Sequence, residues 1–232
     1  MGLLALVHLF FPVINRAVSA YHDKFLSITG GVAIGYVFLY VLPKLTDYTF
    51  TLLKTKQVEW EFLQYGLYVI TLAGLLSYLA LDRFCASDHP HIHHGRTIQG
   101  LGFCIYNLSI GYVVSHIPRT SFLPVVLATL VLGTHLLGID HQLRHGQEKR
   151  FDQCLRWWLA GSMVVGWSLG MTIALPKMVL AGITAFLGGA IIINVLTEEL
   201  PDRREERFLP FLLGVGSMVI IAAIIRSFPK AG

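Results

Sequence analysis

Seven apolar runs, each close to the roughly twenty residues a helix needs to cross about 30 Å of hydrocarbon, decide what this chain can fold into. They fall near residues 25–45, 60–81, 97–117, 121–143, 155–175, 177–198 and 207–226, and a weaker eighth covers 2–19. Composition agrees, because 54% of the 232 residues are hydrophobic and only 14% are charged. A water-soluble domain rarely has that balance. The loops between runs are short. Residues 1–232 are therefore expected to form one all-α integral membrane domain of eight transmembrane helices.

The opening MGLLALVHLFFPVINRAV has the apolar core of a signal peptide, but no positive residue precedes it and no small-residue cleavage site follows. It reads as a first membrane helix. Cys85, Cys104 and Cys154 have no paired spacing, which argues against a disulfide framework or a zinc knuckle. The net charge of +4 sits in short loops between spans, so membrane orientation explains it better than nucleic acid does. The expected surroundings are a lipid bilayer, in a plasma or bacterial inner membrane. With both termini outside, eleven of the eighteen lysines and arginines fall in the cytoplasm and seven outside.

Two spans share a pattern. GGVAIGYVFLYVLP starts at Gly30 and GGAIIINVLTEELP at Gly188, 158 positions later. Each has a Gly-Gly pair, eleven residues ending in Leu, then Pro. In the expected topology the two run in opposite directions. Paired glycines and terminal prolines are common in membrane helices. Their agreement in spacing and opposed direction points further, to an inverted repeat of spans 1–3 and 6–8 around a central pair, the plan of many secondary transporters.

Polar side chains inside such runs are expensive and therefore informative. Asn107, in CIYNLSIG, lies ten residues from the inner end of its span, about 15 Å at helical rise and so near the midplane. In the fifth span, THLLGIDHQLRH carries His135 deepest, then Asp140, His141 and His145. An amide oxygen and a neutral imidazole both ligate transition metals, so Asn107, His135 and Asp140 are candidates for a central metal site. Each has a plainer reading. Asn107 and His135 suit interhelical hydrogen bonds that fix packing. Asp140, His141 and His145 suit a solvated helix end.

The cytoplasmic segment 82–96 holds His89, His91, His93 and His94 beside Asp88. Four imidazoles this close form a labile site for zinc, copper or nickel, unless the loop is merely solvated. Glu198, Glu199 and the DRREER that follows read as a solvated loop with local ion pairs, and Asn194 as a weaker candidate for the central path. Gly161, Gly166 and Gly170 suit close helix packing.

Taken in order, these features resemble the ZIP family of divalent metal transporters: eight spans, termini outside, a histidine-rich loop after the third span, and a 3+2+3 inverted repeat. The Gly-Gly and Leu-Pro of the second span and Gly182-Ile183-Thr184-Ala185 of the seventh are similar too. The family's fourth-span motif, His-Asn-x-Pro-Glu/Asp-Gly, falls on residues 106–111, where Asn107 and Gly111 are kept and Tyr106 and Ile110 replace the histidine and the acid. Its fifth-span motif, His-Glu-x-Pro-His/Glu and a further acid, falls on 135–140, where His135 and Asp140 are kept. The sixth span has no acid between Leu159 and Pro176. The resemblance implies transport of a zinc-type or iron-type divalent cation by alternating access, with the metal as substrate, no cofactor required, and a homodimer as one compatible assembly. Because carboxylates that would offset a cation's charge are missing, a fold that has lost metal transport is the alternative within the family. The rival from another class is a membrane-embedded, metal-dependent enzyme acting on lipid. Its ligands would be His141 and His145, on one helix face, with the 89–94 cluster. It lacks the repeated histidine boxes of membrane hydroxylases and a deep general base.

Overall fold

A computed structural model describes residues 2–18, 22–54, 60–86, 92–117, 122–146, 148–199 and 205–227. These form eight continuous helices, and no strand occurs among the described residues. We number them in chain order. α1 is Gly2–Val18, and α2 runs over 22–54, with a π-turn at Val37–Val41 between His22–Tyr36 and Leu42–Lys54. α3 is Trp60–Ala86, α4 Ile92–Ser115 and α5 Phe122–Gly146. α6 covers 148–172, with a π-turn at Phe151–Leu155; α7 covers 177–199 and ends in a π-turn at Val195–Glu199; α8 is Glu205–Ser227.

Four stretches are long and apolar enough to cross a membrane: Asp23–Leu52, Tyr65–Phe84, Gly95–Ser115 and Lys177–Thr197. Gly2–Ala17 and Phe208–Ile224 are shorter apolar helices. The second helix outruns the expected 25–45 because Pro43 does not end it. Proline has no N–H to give. The turn before it widens, so that the Leu42 N–H reaches the Val37 carbonyl five residues back, and helix resumes to Lys54. A π-turn of this kind is uncommon and often sits at functional positions. The one at Val195 begins 158 positions after the one at Val37.

Close backbone approach, the means by which helices associate where apolar surface gives no preference, joins these helices. Three helix pairs pack most extensively, α2 with α8, α3 with α7 and α4 with α6. Each is closed by glycines whose missing Cβ is filled by the partner's backbone. On α2 and α8, a Cβ at Gly31 would overlap the Phe211 carbonyl, and one at Gly214 the Ile28 carbonyl. Gly74 and Gly189 do the same between α3 and α7, against Phe186 and Thr71. Gly111 and Gly166 do so between α4 and α6, against Met163 and Leu108. Of the three glycines expected to pack in the sixth span, Gly166 and Gly170 do, whereas Gly161 faces open space.

The remaining helices are set by side chains. α1 lies against α5 and α6, with Phe11 edge-on to Phe151 at 5.7 Å. The connection from α6 to α7 is held by Tyr112 of α4, whose hydroxyl donates to the Ile173 carbonyl at 2.9 Å and accepts from the Leu175 N–H at 3.0 Å. Backbone groups left over at the helix end are thereby satisfied. At the opposite end, Arg144 of α5 makes a two-pronged contact with Asp152 of α6, at 3.0 and 3.1 Å.

Gly166→Ala should force α4 and α6 apart and lower stability by about 1–3 kcal/mol, the usual cost of overpacking, while Gly161→Ala should be neutral. Thermal unfolding of the two detergent-purified variants checks this, and equal melting temperatures would contradict the backbone-contact account.

Candidate functional site: a buried His–Asp–Asn triad

Three helices meet around one imidazole. His8 of α1 is set between Asp140 of α5 and Asn107 of α4, and all three are 0% exposed. His8 Nδ1 lies 2.7 and 2.9 Å from the two oxygens of Asp140, and Nε2 lies 2.9 Å from the Asn107 carbonyl oxygen. The amide nitrogen of Asn107 donates back to the Phe103 carbonyl at 2.9 Å. That last bond fixes the amide's orientation, since a flipped amide would oppose two carbonyl oxygens.

The orientation determines the protons. An amide oxygen only accepts, so Nε2 of His8 must carry hydrogen. The contact between Nδ1 and the carboxylate then holds one further proton, placed on the ring or on the acid. Either way the pair is neutral overall, which is what makes a fully buried carboxylate tolerable. An isolated Asp140 here would be very costly.

A second pair stands beside the first. The Tyr106 hydroxyl is 2.8 Å from His135 Nε2, with both residues about 1% exposed. Tyr78 and Phe103 pack edge-on around the Tyr106 ring at 5.4 and 6.2 Å. Helical geometry separates the two pairs. His135 and Asp140 are five residues apart, about 140° around α5 at 100° per residue, so one faces α4 and the other α1.

The structure thus brings together Asn107 and Asp140, but through His8, while His135 binds Tyr106. It corrects the solvated reading of Asp140, which is buried at the helix crossing. The imidazole beside Asn107 comes from α1, not from position 106. His8 did carry a signal, as the one ionisable group in the run GLLALVHLFFPV, but its partners lie 99 and 132 positions away. Asn107 and Asp140 sit on opposite ring nitrogens, so the three side chains do not converge on one point as a metal cage would. Among the described residues, no group of three or more His, Cys, Asp and Glu side chains is placed to hold a metal.

The other candidates are dispersed. His141 and His145 do share a face of α5, their rings 6.0 Å apart, with His141 half-buried and His145 exposed. His89 and His91 lie outside the described residues, and His93 and His94 fall in the first turn of α4 with side chains also outside them. Asn194 is buried at the end of the regular part of α7, and its amide nitrogen has no partner among the described residues.

His8→Ala should cost about 3–5 kcal/mol, because it strands a buried carboxylate, whereas the double variant His8→Leu with Asp140→Leu should recover most of that loss. Unfolding of both in one detergent tests it; a double variant no more stable than His8→Ala would refute the pairing. No known protein family, curated protein or solved structure matches the chain, so what the triad does has to be argued from its own geometry.

Proposed function

We propose that this protein is a membrane transporter of ZIP-like 3+2+3 plan, in which a divalent cation and a proton compete for the His8–Asp140 pair. The observation that carries the reading is that pair: two ionisable side chains, fully buried at the meeting of α1, α4 and α5 and bridged by a single proton. Intramembrane groups of this kind are rare and mark ion paths or proton relays. A divalent cation binding to the Nδ1 lone pair of His8 and the Asp140 carboxylate displaces that one proton. Asn107, on the far nitrogen, then serves to aim the ring, the part that hydrogen-bond partners of metal-bound histidines play.

The packing supports the repeated plan. Matching spans 1, 2 and 3 to 6, 7 and 8 exchanges the α2–α8 pair with the α3–α7 pair, which are two of the most extensive contacts. Gly31 and Gly189, equivalent at the offset of 158, both seat a neighbouring backbone, one on α8 and one on α3. The π-turns starting at Val37 and Val195 keep the same offset. Two halves with equivalent locks and equivalent soft turns are what a rocking mechanism requires. On this reading all eight helices span the bilayer, with both termini outside, in a plasma or bacterial inner membrane.

The opposed placement of Asn107 and Asp140 favours a second reading, a ZIP-like fold that has ceased to carry metal, since two ligands hold a divalent ion weakly.

Proteoliposomes loaded with a metal-sensitive and a pH-sensitive dye separate the two. Zinc, iron or manganese should enter with opposite proton movement. Flux should vanish in His8→Gln and Asp140→Asn, and fall about 10- to 100-fold in Asn107→Ala. No flux of any metal selects the second reading. No flux together with a stoichiometric bound metal, lost in His141→Ala with His145→Ala, selects the lipid-directed metalloenzyme.

A further inference from the structure

Away from the triad, a cavity of about 40 Å³ lies between α2, α4 and α7, lined by Tyr36, Tyr40, Lys44, Tyr48, His116 and Thr184 among others. It is on the side that the charge count predicts to be outside. The four α2 residues are spaced four apart, which puts them on one helix face, and Tyr36 stacks on Tyr40 at 5.2 Å.

The polar groups of this cavity are uncommitted. The Lys44 ammonium lies 5.6 Å from the Tyr40 ring centre and 5.9 Å from that of Tyr48. Among the described residues no carboxylate pairs with it and none lines the cavity. The hydroxyls of Tyr36, Tyr40 and Tyr48 make no hydrogen bond among those residues either. Thr184 is spent on the Leu180 carbonyl at 2.8 Å. The His116 ring donates from Nδ1 to the Tyr112 carbonyl and Ser115 hydroxyl, at 3.0 and 2.9 Å. Lys44 and three tyrosines thus line a partly open space with no acidic acceptor among the described residues.

Such a lining calls for an anionic, acceptor-rich ligand. Size narrows it further. At 10–15 Å³ of this measure per water, the cavity holds roughly three waters. That room takes a carboxylate's three heavy atoms, with the rest of the acid projecting through the open side.

We propose that the cavity binds the carboxylate group of a small soluble or lipid-borne acid, with Lys44 as counter-charge and the phenols of Tyr36, Tyr40 and Tyr48 as donors. The assignment holds whichever way the central triad works.

The test uses the full chain in phosphatidylcholine nanodiscs. Binding of ¹³C-acetate from solution and of ¹³C-oleate from the bilayer is followed by NMR in wild type, Lys44→Met, Lys44→Arg and Tyr48→Phe. At least one acid should bind wild type, weaken about tenfold or more in Lys44→Met as a charge-assisted bond is lost, and be largely restored in Lys44→Arg. Acetate binding identifies a soluble source, and oleate binding a lipid one. Should Lys44→Met fail to fold, Tyr48→Phe must still weaken binding. Neither acid bound by wild type, or affinity equal in wild type and both loss variants, would mean a water-filled cavity and overturn the proposal.

Discussion

Backbone seated on backbone is the constraint from which the rest of this molecule follows. Where Gly111 and Gly166 let α4 and α6 touch without side chains between them, the opposite side of α4 is left to meet α1 and α5. Tyr106 sits on that side, about 140° around the helix from Gly111, and meets α5, while Asn107 lies on the flank, about 40° from Gly111, and meets α1; both are buried. Had α4 and α6 been separated by a layer of leucines, the amide would sit several ångströms from its present place. The 2.9 Å bond to His8 could not then form. In lipid, where apolar surface gives no preference among neighbours, such locks choose partners, and polar pairs then fix register and rotation.

The triad shows how far a small polar group can organise a bundle when its protons are accounted for. Asn107 contributes no charge. It decides which ring nitrogen of His8 bears hydrogen, and so leaves the other to share a proton with Asp140. A neutral three-helix unit results, without the charge penalty that a lone Asp140 would impose. Tyr106 and His135 repeat the device in simpler form, a phenolic oxygen 2.8 Å from one ring nitrogen. Neither pair opens to solvent, so any ion that reaches them needs the helices to move first.

Much of the helix count was legible in the sequence, because each apolar run corresponds to one helix, four of them long and apolar enough to cross a membrane among the described residues. The expected run at 97–117 and the helix Ile92–Ser115 differ only at their ends. What the runs did not reveal lies where covalent neighbours mislead. Leu42-Pro43 reads as a helix end, yet a widened turn carries α2 on to Lys54. Asp140 reads as interfacial from its place near the end of a run, yet the crossing of α1 buries it. At the site, Asn107 was legible as a costly amide and Tyr106 as a departure from the family motif. That Asn107 is bonded to His8 was not, because His8 stands on a helix 99 positions away.

If the repeat is taken as the frame, the two ends of the bundle differ in a way that bears on what each can attract. Tyr36, Tyr40, Lys44 and Tyr48 line the cavity at one end. At the offset of 158 the chain has Asn194, Glu198, Asp202 and Glu206. The backbones share the close glycine approach and the π-turn at that offset, as far as Glu199. In sequence, one basic and three phenolic side chains stand where the equivalent positions carry an amide and three acids. A local field of one sign draws ions of the other, so Lys44 makes its cavity a place for anions. On the proposed repeated plan, side-chain differences of this kind are what distinguish one end of the scaffold from the other.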